Sequence, residues 1–263
     1  MNLDTKEIRK TILKMIHAAG SGHIGGSFSI VEVVSYLYSN FNLSEKNGDK
    51  IILSKGHAVP CIYSVLFQLG LIDESEIYSF RKIDSRLQGH PDKKRLDLLH
   101  GTTGSLGQGL SLAIGHALAF KMKNLQNNAF CIVGDGELQE GQVWESFMLA
   151  PKFKLDNLCC FIDRNGSQND GHVDEILSLD PLDKKIRSFG WDVCEIDGHS
   201  IEEIHSEMDK FKQRDNCMPK CVILNTKKGM GVSFMMNPSW HAKAPTDSEL
   251  ESALREIDNE SDA

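Results

Sequence analysis

Two short turns of the sequence carry oxygen-bearing side chains that could bind a metal ion. Asp135 stands between Gly134 and Gly136 just after one apolar run, and Asn165 follows the next apolar run along the chain. Carboxylate and amide oxygens suit Mg²⁺ or Ca²⁺, and Mg²⁺ commonly shares its coordination shell with phosphate oxygens. Since glycine lets the backbone turn sharply and approach an anion closely, the two turns predict a divalent cation that holds a diphosphate.

Both turns also have an ordinary explanation, because Gly-Asp-Gly and Asn-Gly are common tight turns in α/β proteins. Taken singly, either turn favours that explanation. The pair is more specific because of its fixed interval and because a helix-forming segment with Glu137, Glu140 and Glu145 lies between the two turns.

Histidines form the second set of candidate residues. An imidazole on a turn can point into a cleft, where it binds oxygen or relays a proton near neutral pH. A lone histidine on a loop is still more often a surface or hydrogen-bonded group than a catalyst. Six of the ten histidines directly follow a glycine: His23, His57, His90, His116, His172 and His199.

A sheet is needed to position these residues, and the chain beyond residue 128 predicts one. Helical segments at 138–150 and 201–211 alternate with four short apolar runs, "AFCIV", "LCCFI", "WDVCEI" and "KCVILN". Such repetition favours an α/β fold with a doubly wound, mostly parallel sheet flanked by helices. Ligands bind beyond the carboxyl ends of the strands in such sheets, which is where Asp135 and Asn165 fall.

The first half of the chain predicts helices and little strand. Apolar residues recur with the helical period between a cap at Asp4 or Thr5 and a stop at Gly20. Further helices are expected over "SIVEVVSYLY", after Gly56-His57 and over "LGQGLSLAIGHALAFKMK". No linker separates the halves, so residues 1–263 are expected to form one domain, with a long loop over "NTKKGMGVSFMMNPSWHAKAP" and a C-terminal helix and acidic tail at about 246–263.

Composition narrows the class of protein. The formal net charge of -8 offers no basic surface for nucleic acid or for a membrane. No apolar stretch has the length of a bilayer span, and the start of the chain lacks the order of a signal peptide, so the cytoplasm is the expected location. Seven cysteines without CxxC spacing predict reduced core residues, with neither a zinc site nor a disulfide framework.

At the level of whole motifs, the sequence resembles the transketolase family. The tract "GDGELQEGQVWES" followed by Asn165 is similar to the thiamine diphosphate motif in its transketolase form. Other motifs follow in transketolase order: "SGHIGGSFSIVEVVSYLY", "LSKGHAVPCIYSVL", "GHPD", "TTGSLGQGLSLAIG", "DGHS" and "WHAKAP". Only the first of the three transketolase domains is matched, so the chain resembles the N-terminal, diphosphate-binding subunit of a split two-chain enzyme.

The resemblance implies a metal and cofactor site. Asp135 and Asn165 would be side-chain ligands of Mg²⁺, or of Ca²⁺ or Mn²⁺, and the backbone carbonyl of Ser167 would be the third protein ligand. Glu140 matches a glutamate at a dimer interface that couples two active sites. The cofactor-binding positions implied by the resemblance are His57, Gly104, Leu106, Asp135, Gly136, Glu140, Asn165, Ser167 and His241.

The resemblance also separates the histidines. His23, His57, His90 and His241 coincide with transketolase active-site positions, which implies sugar binding and proton transfer. The remaining histidines have other expected roles: packing for His116, a structural turn for His199, surface or core for His17 and His172, and substrate contact or an incidental place for His100.

The implied activity is transfer of a two-carbon ketol unit from a ketose to an aldose. The glutamate that activates the cofactor belongs to the pyrimidine-binding domain, so the chain should need a separate C-terminal subunit, in an α2β2-type assembly.

Near the cofactor, "SGHIGG" lacks the usual proline and "NGSQNDG" is more polar than is usual, which leaves the sugar substrate open. The alternatives are the α subunit of a 2-oxo acid dehydrogenase and a non-catalytic paralogue that serves as a binding partner.

Overall fold

A computed structural model describes residues 3–213, 216–237 and 240–259 of the chain. The described strands are β1 Lys50–Leu53, β2 Ala129–Gly134, β3 Leu158–Arg164, β4 Ser167–Gln168, β5 Gly171–His172, β6 Asp192–Asp197 and β7 Lys220–Asn225. The described helices are α1 Thr5–Ala19, α2 Ile24–Phe28, α3 Val31–Asn40, α4 Val59–Gln68, α5 Glu74–Ile77, α6 Gly109–Met122, α7 Gly141–Lys152, α8 Val173–Leu177, α9 Leu182–Ser188, α10 Ile201–Lys212 and α11 Asp247–Asn259.

Five strands form one parallel sheet in the order β1-β2-β3-β7-β6. Its central register pairs Gly134 with Asp163 and Arg164 with Asn225, so β2, β3 and β7 end at the same edge. The short strands β4 and β5 form a separate antiparallel hairpin. The α/β fold class and the parallel sheet predicted from the sequence are therefore confirmed.

The sequence pattern missed β1, which is the one strand described in the first half of the chain. Lys50–Leu53 is only four residues long and is buried throughout. A short apolar run of this kind cannot be told from a buried helix segment by periodicity. Its pairing with β2 identifies it as the edge strand of the sheet.

The first predicted helix has the boundaries that its capping residues indicated. The Asp4 carboxylate accepts hydrogen bonds from the backbone N–H groups of Lys6 and Glu7, which satisfies donors that a helix start leaves open. At the other end Gly20 has a φ of 64°, a conformation that glycine adopts without strain.

Two apolar layers hold the helices against the sheet. Strand residues alternate in direction, so that Phe130 and Ile132 face α1, α3, α4 and α10, while Cys131 and Val133 face α6, α7 and α9. The sheet is thus covered on both faces, as parallel sheets usually are. This packing leaves the carboxyl edge of the sheet free for a site.

The cysteines mostly have the core role expected of them. All seven are free thiols; five are buried, Cys194 is partly exposed and Cys217 is exposed. Within the described residues, no helix combines the length and the apolar character that crossing a membrane requires.

The long predicted loop follows β7 and contains one 3₁₀ turn, Ser233–Met235, in its described part. It brings His241 back toward the sheet before α11 begins. The predicted C-terminal helix is confirmed as Asp247–Asn259, whereas the predicted tail at 260–263 lies outside the described residues.

Candidate functional site

The ends of four parallel strands meet around one cavity of about 420 Å³. Each strand is followed by a segment that reaches the cavity wall: Lys55 and His57 after β1, Asp135 after β2, Asn165 after β3, and Lys228 after β7. This is the place where ligands bind in open parallel sheets.

All the site residues expected from the sequence lie on the wall of this cavity. The shared wall brings together residues that are separated by most of the length of the chain, because the strands end at one edge. The residues are His23, His57, His90, Gly104, Leu106, Asp135, Gly136, Glu140, Asn165, Ser167 and His241.

Asp135 and Asn165 are held rigidly by the turns that carry them. The Asp135 carboxylate accepts hydrogen bonds from the backbone N–H groups of Gly136 (2.8 Å) and Gly166 (2.6 Å). The Asn165 side-chain oxygen accepts one from the backbone of Ser167 at 3.1 Å, and its nitrogen donates to Asp163 Oδ2 at 2.7 Å. The nitrogen of the Asn165 amide is therefore committed to Asp163, and its oxygen lies on the opposite side.

These groups fit a divalent cation. Asp135 is only 3% exposed, and none of its hydrogen bonds comes from a lysine or an arginine. Burial, together with the nearby charge of Asp163, raises the pKa of Asp135 to about 6. A cation bound to the carboxylate would offset that burial, and each oxygen keeps a lone pair beside its single hydrogen bond.

Several glycines form a cradle in which a side chain would collide with the cavity wall. A Cβ at Gly136 would lie 2.8 Å from Gln168 Cβ, and one at Gly26 would lie 3.1 Å from His57 Nε2. Gly104 has a φ of 156°, and its Cβ would lie 3.3 Å from the His90 ring. Glycine at these positions therefore lets the cavity-lining side chains of Gln168, His57 and His90 pack directly against the backbone.

Glu137 ties the glycine-rich segment before α6 to the turn that contains Asp135. Its buried carboxylate accepts hydrogen bonds from the backbone of Gly107 (2.8 Å), the backbone of Gly134 (3.1 Å) and the hydroxyl of Ser54. Burial raises the pKa of this carboxyl group. Glu137 thus has a structural part in the site.

Asp163 connects the segments that surround the cavity. This fully buried carboxylate pairs with Lys55 and accepts hydrogen bonds from Ser29 Oγ (2.7 Å), Asn165 Nδ2 and the hydroxyl of Thr226. Although burial alone would raise it, the Lys55 ammonium holds the pKa of Asp163 below its ordinary value. Segments after α2, β1, β3 and β7 are thereby joined at one side chain.

Three imidazoles and one lysine form the other side of the cavity. The ring centroid of His23 lies 5.1 Å from that of His57 and 5.3 Å from that of His241, and the His57 and His241 centroids are 5.6 Å apart. Lys228 Nζ donates a hydrogen bond to His241 Nδ1 at 2.6 Å. His90 lies against Gly104, in the wall of the same cavity.

The electrostatics of the cavity keep these imidazoles neutral. Burial, followed by the positive groups around them, lowers the pKa of His23 and of His241 to about 4 and that of His57 well below its ordinary value. Burial and the charge of Lys55 likewise lower the pKa of Lys228 to about 8. At neutral pH the imidazoles can accept protons, while Lys228 is mostly charged.

The other histidines lie outside the cavity wall. His100 Nδ1 accepts a hydrogen bond from the backbone of Ile51 at 3.0 Å, so this residue fastens its loop to β1. His116 hydrogen-bonds to the backbone of His100, and His199 joins Glu32 to the backbone of Lys227. The packing role expected for His116 and the structural role expected for His199 agree with these contacts. His17 and His172 do not line the cavity either.

Sequence reasoning did not assign four charged residues of the cavity wall to the site: Lys55, Glu137, Asp170 and Lys228. Lys55 directly precedes the Gly56-His57 pair and Glu137 directly follows the Gly-Asp-Gly turn, so proximity to a motif was an available signal. Lys228 lies in the long loop after β7. Nothing local distinguishes it from Lys227, which does not line the cavity.

Comparison with known proteins agrees with this geometry. The family model described as the thiamine diphosphate binding domain of transketolase matches residues 2–258. The chain is 40% identical over 260 residues to the 6-deoxy-6-sulfo-D-fructose transketolase subunit of Clostridium sp. (strain MSTE9), covering 96% of this chain and 94% of that protein. It is 37% identical to an apulose-4-phosphate transketolase subunit from Actinobacillus succinogenes, covering 96% and 93%.

Solved structures give the same result for the fold. A crystal structure of a transketolase variant from Pichia stipitis superposes with a TM-score of 0.90 at 26% identity, covering 96% of this chain and 40% of that one. The similarity therefore spans nearly the whole of the two bacterial subunits but less than half of the Pichia chain.

Proposed function

Because the chain belongs to the transketolase family, as a thiamine diphosphate-binding N-terminal subunit, we propose that it holds the diphosphate end of the cofactor and one part of the sugar site. The enzyme of which it is a subunit transfers a ketol group, and the names of its relatives imply a partner subunit. The observation that supports this assignment is the cavity whose wall contains all the residues expected from the family motifs.

In this proposal Asp135, Asn165 and the Ser167 carbonyl bind Mg²⁺, which in turn holds the diphosphate. The buried Asp135 carboxylate, whose hydrogen bonds within the described residues come from backbone N–H groups, and the oriented Asn165 amide support the assignment. Gly104, Gly136 and the ammonium group of Lys228 then lie where a diphosphate would approach. When bound, thiamine diphosphate supplies the carbon nucleophile and the electron sink of the reaction.

In this proposal the imidazoles bind sugar hydroxyls and transfer protons. Neutral His23, His90 and His241 can accept hydrogen bonds from sugar hydroxyls or take up a proton as a carbon–carbon bond breaks or forms. His57 lies deeper, beside Gly26, and is placed to hold the cofactor. Lys228 orients His241 by donating to its Nδ1, so that Nε2 of His241 is the nitrogen left for substrate.

The partner is proposed to be a C-terminal transketolase subunit with the pyrimidine-binding domain and its activating glutamate. Exposed apolar side chains on α6 and α7 support further burial in an α2β2-type assembly. Leu112 and Met122 of α6 are 41% and 76% exposed, and Met148 and Leu149 of α7 are 55% and 41% exposed. Glu140 caps the start of α7 and lines the cavity.

Reconstitution tests the proposal directly. The chain and the C-terminal subunit are co-expressed, and the complex is assayed with thiamine diphosphate and Mg²⁺ for ketol transfer from a panel of phosphorylated and sulfonated ketoses to aldehyde acceptors. Transfer that requires both chains supports the proposal, and light scattering of the complex measures its stoichiometry.

Two results would refute it. Oxidative decarboxylation of a 2-oxo acid by the assembled pair would identify a 2-oxo acid dehydrogenase subunit instead. Failure of the complex to bind thiamine diphosphate by calorimetry, with the partner present and folded, would favour a non-catalytic paralogue.

A further inference from the structure

Arg81 is a charged residue beside the site that lacks an acidic partner among the described residues. One of its terminal nitrogens, Nη1, donates to Ser21 Oγ at 3.2 Å, while its buried Nε has no hydrogen-bond partner in the part of the chain that the structure describes. Burial lowers the pKa of this guanidinium, with no carboxylate to counter the effect. An arginine that is partly buried without a counter-charge is unfavourable for stability, which points to a role in the site.

The backbone of Arg81 is also strained. Its φ of 62° lies in the left-handed region, which disfavours residues other than glycine, asparagine and aspartate by about 1 kcal/mol. A hydrogen bond from its N–H to the Leu87 carbonyl at 2.9 Å holds this conformation. Strain of this kind persists where the surrounding structure requires one side-chain direction.

That direction places the guanidinium between two loops that each carry a site histidine. One loop contains Ser21 and His23. The other contains Gly89 and His90, and a Cβ on Gly89 would lie 2.8 Å from Arg81 Nε and 3.0 Å from its Cζ. Arg81 therefore packs directly on the backbone before His90 while it is hydrogen-bonded to the loop before His23.

The charges around the two imidazoles show what Arg81 adds. The His23 ring lies next to the rings of His57 and His241, and His90 and Lys228 are among the other groups that act on it electrostatically. His90 faces Gly104, and the positive charge that acts on it is that of Arg81. Arg81 thus acts on both imidazoles and is the charged neighbour of His90.

We propose that Arg81 is a positioning residue for the ketol-transfer site: its guanidinium holds the loops of His23 and His90 at a fixed separation and provides an uncompensated positive charge beside both imidazoles. This inference rests on the proposed function. In consequence the two imidazoles stay neutral and are held at positions from which both can contact the same substrate, as groups that exchange hydrogen bonds with sugar hydroxyls must.

The test compares Arg81→Gln and Arg81→Lys with the matched control Arg86→Gln. Arg86 lies on the same loop and pairs with Glu76 at the surface, away from the histidines. NMR titration of the ¹³C-labelled histidines in the folded chain should show the pKa of His23 and His90 raised by roughly half to one pH unit in Arg81→Gln. Arg81→Lys keeps the charge and should show a smaller change, and Arg86→Gln should show none.

In the assembled enzyme, the acid limb of the pH profile of kcat/KM should move to higher pH in Arg81→Gln by the same amount. Its kcat should fall about tenfold or more, while the affinity for thiamine diphosphate and Mg²⁺ stays unchanged. Partial recovery of the profile in Arg81→Lys is expected, because lysine keeps the charge without the planar fork.

The proposal is overturned if Arg81→Gln and Arg86→Gln show the same histidine titrations, or if Arg81→Gln lowers activity at every pH without moving the acid limb. The second result would mean that Arg81 only stabilises the loop. The titrations need neither partner nor substrate, so they test the role of Arg81 even if ketol transfer by the complex is not found.

Discussion

Replacing Lys228 by methionine should make the isolated chain more stable while damaging its site. Lys228 is only 5% exposed, and its ammonium group donates a hydrogen bond to the neutral imidazole of His241 instead of to a carboxylate. Burial first, and then the charge of Lys55, lowers the pKa of Lys228 from 10.5 to about 8. Methionine keeps the apolar stem beside Gly25 and removes only the charge.

The magnitude follows from that pKa. A lysine whose pKa is lower in the folded state than in the unfolded state destabilises the folded state at every pH at which the unfolded chain keeps that lysine protonated. At about 1.4 kcal/mol per pKa unit, the penalty at pH 7 is about 3 kcal/mol. Loss of the hydrogen bond to His241 lowers the free energy of unfolding by about 1 kcal/mol. Lys228→Met should therefore be about 2 kcal/mol more stable than wild type at pH 7.

The sign of the pH dependence is also determined. The penalty is fully present below pH 8 and disappears as pH rises toward 10.5, because the unfolded chain then loses its proton as well. The advantage of Lys228→Met should accordingly fall to about zero near pH 10. Urea denaturation followed by circular dichroism at about pH 7 and about pH 10 measures both differences.

Lys227→Met is the matched control, since it removes the same charge from an exposed neighbour. It should change the free energy of unfolding by less than about 0.5 kcal/mol at either pH. Lys228→Met should also bind thiamine diphosphate more weakly in the assembled enzyme. If Lys228→Met is no more stable than wild type at neutral pH, or if its advantage persists at the alkaline pH, the electrostatic reasoning is wrong.

Three further predictions concern other parts of the chain. Asp135→Ala should abolish Mg²⁺-dependent cofactor binding in the complex and leave the fold intact, as calorimetry and circular dichroism can check; wild-type affinity would disprove the metal assignment. Asp163→Ala should cost about 3–5 kcal/mol, because Lys55 is left buried without its partner. Denaturation of the double variant Lys55→Met/Asp163→Leu should recover much of that loss, and no recovery would contradict the explanation. Gly109→Ala should cost about 1–3 kcal/mol, since its Cβ would lie 2.4 Å from Ser54 Cβ, whereas Gly115→Ala, with open space around it, should be neutral or stabilising in the same denaturation assay.

Local chemistry made much of the site predictable from the sequence. Asp135 and Asn165 stand on turns that follow strongly apolar runs, so strand, turn and ligand type are all encoded within a short stretch of chain. The parallel arrangement of those strands then brings their ends to one edge. The four histidines that whole motifs assign to the active site were singled out in this way, and the structure brings them to the same cavity.

The sequence carries less information about residues whose position depends on contacts with residues far away in the chain. His100 could not be assigned from the sequence, because its place depends on the Ile51 N–H of an edge strand that the pattern missed. Lys227 and Lys228 are chemically identical neighbours, and only the path of the loop after β7 decides which one enters the cavity.

The sequence by itself determined the family, the α/β layering and the types of group that the site contains, because these depend on short-range patterns of apolarity, turns and capping. Only the tertiary structure decided how charge is arranged around those groups: Lys55 with Asp163, Lys228 against His241, and Arg81 without an acidic partner among the described residues. The physical reason is that burial and Coulomb interactions depend on distances between residues far apart in the chain, and those distances exist only once the helices have packed on the sheet.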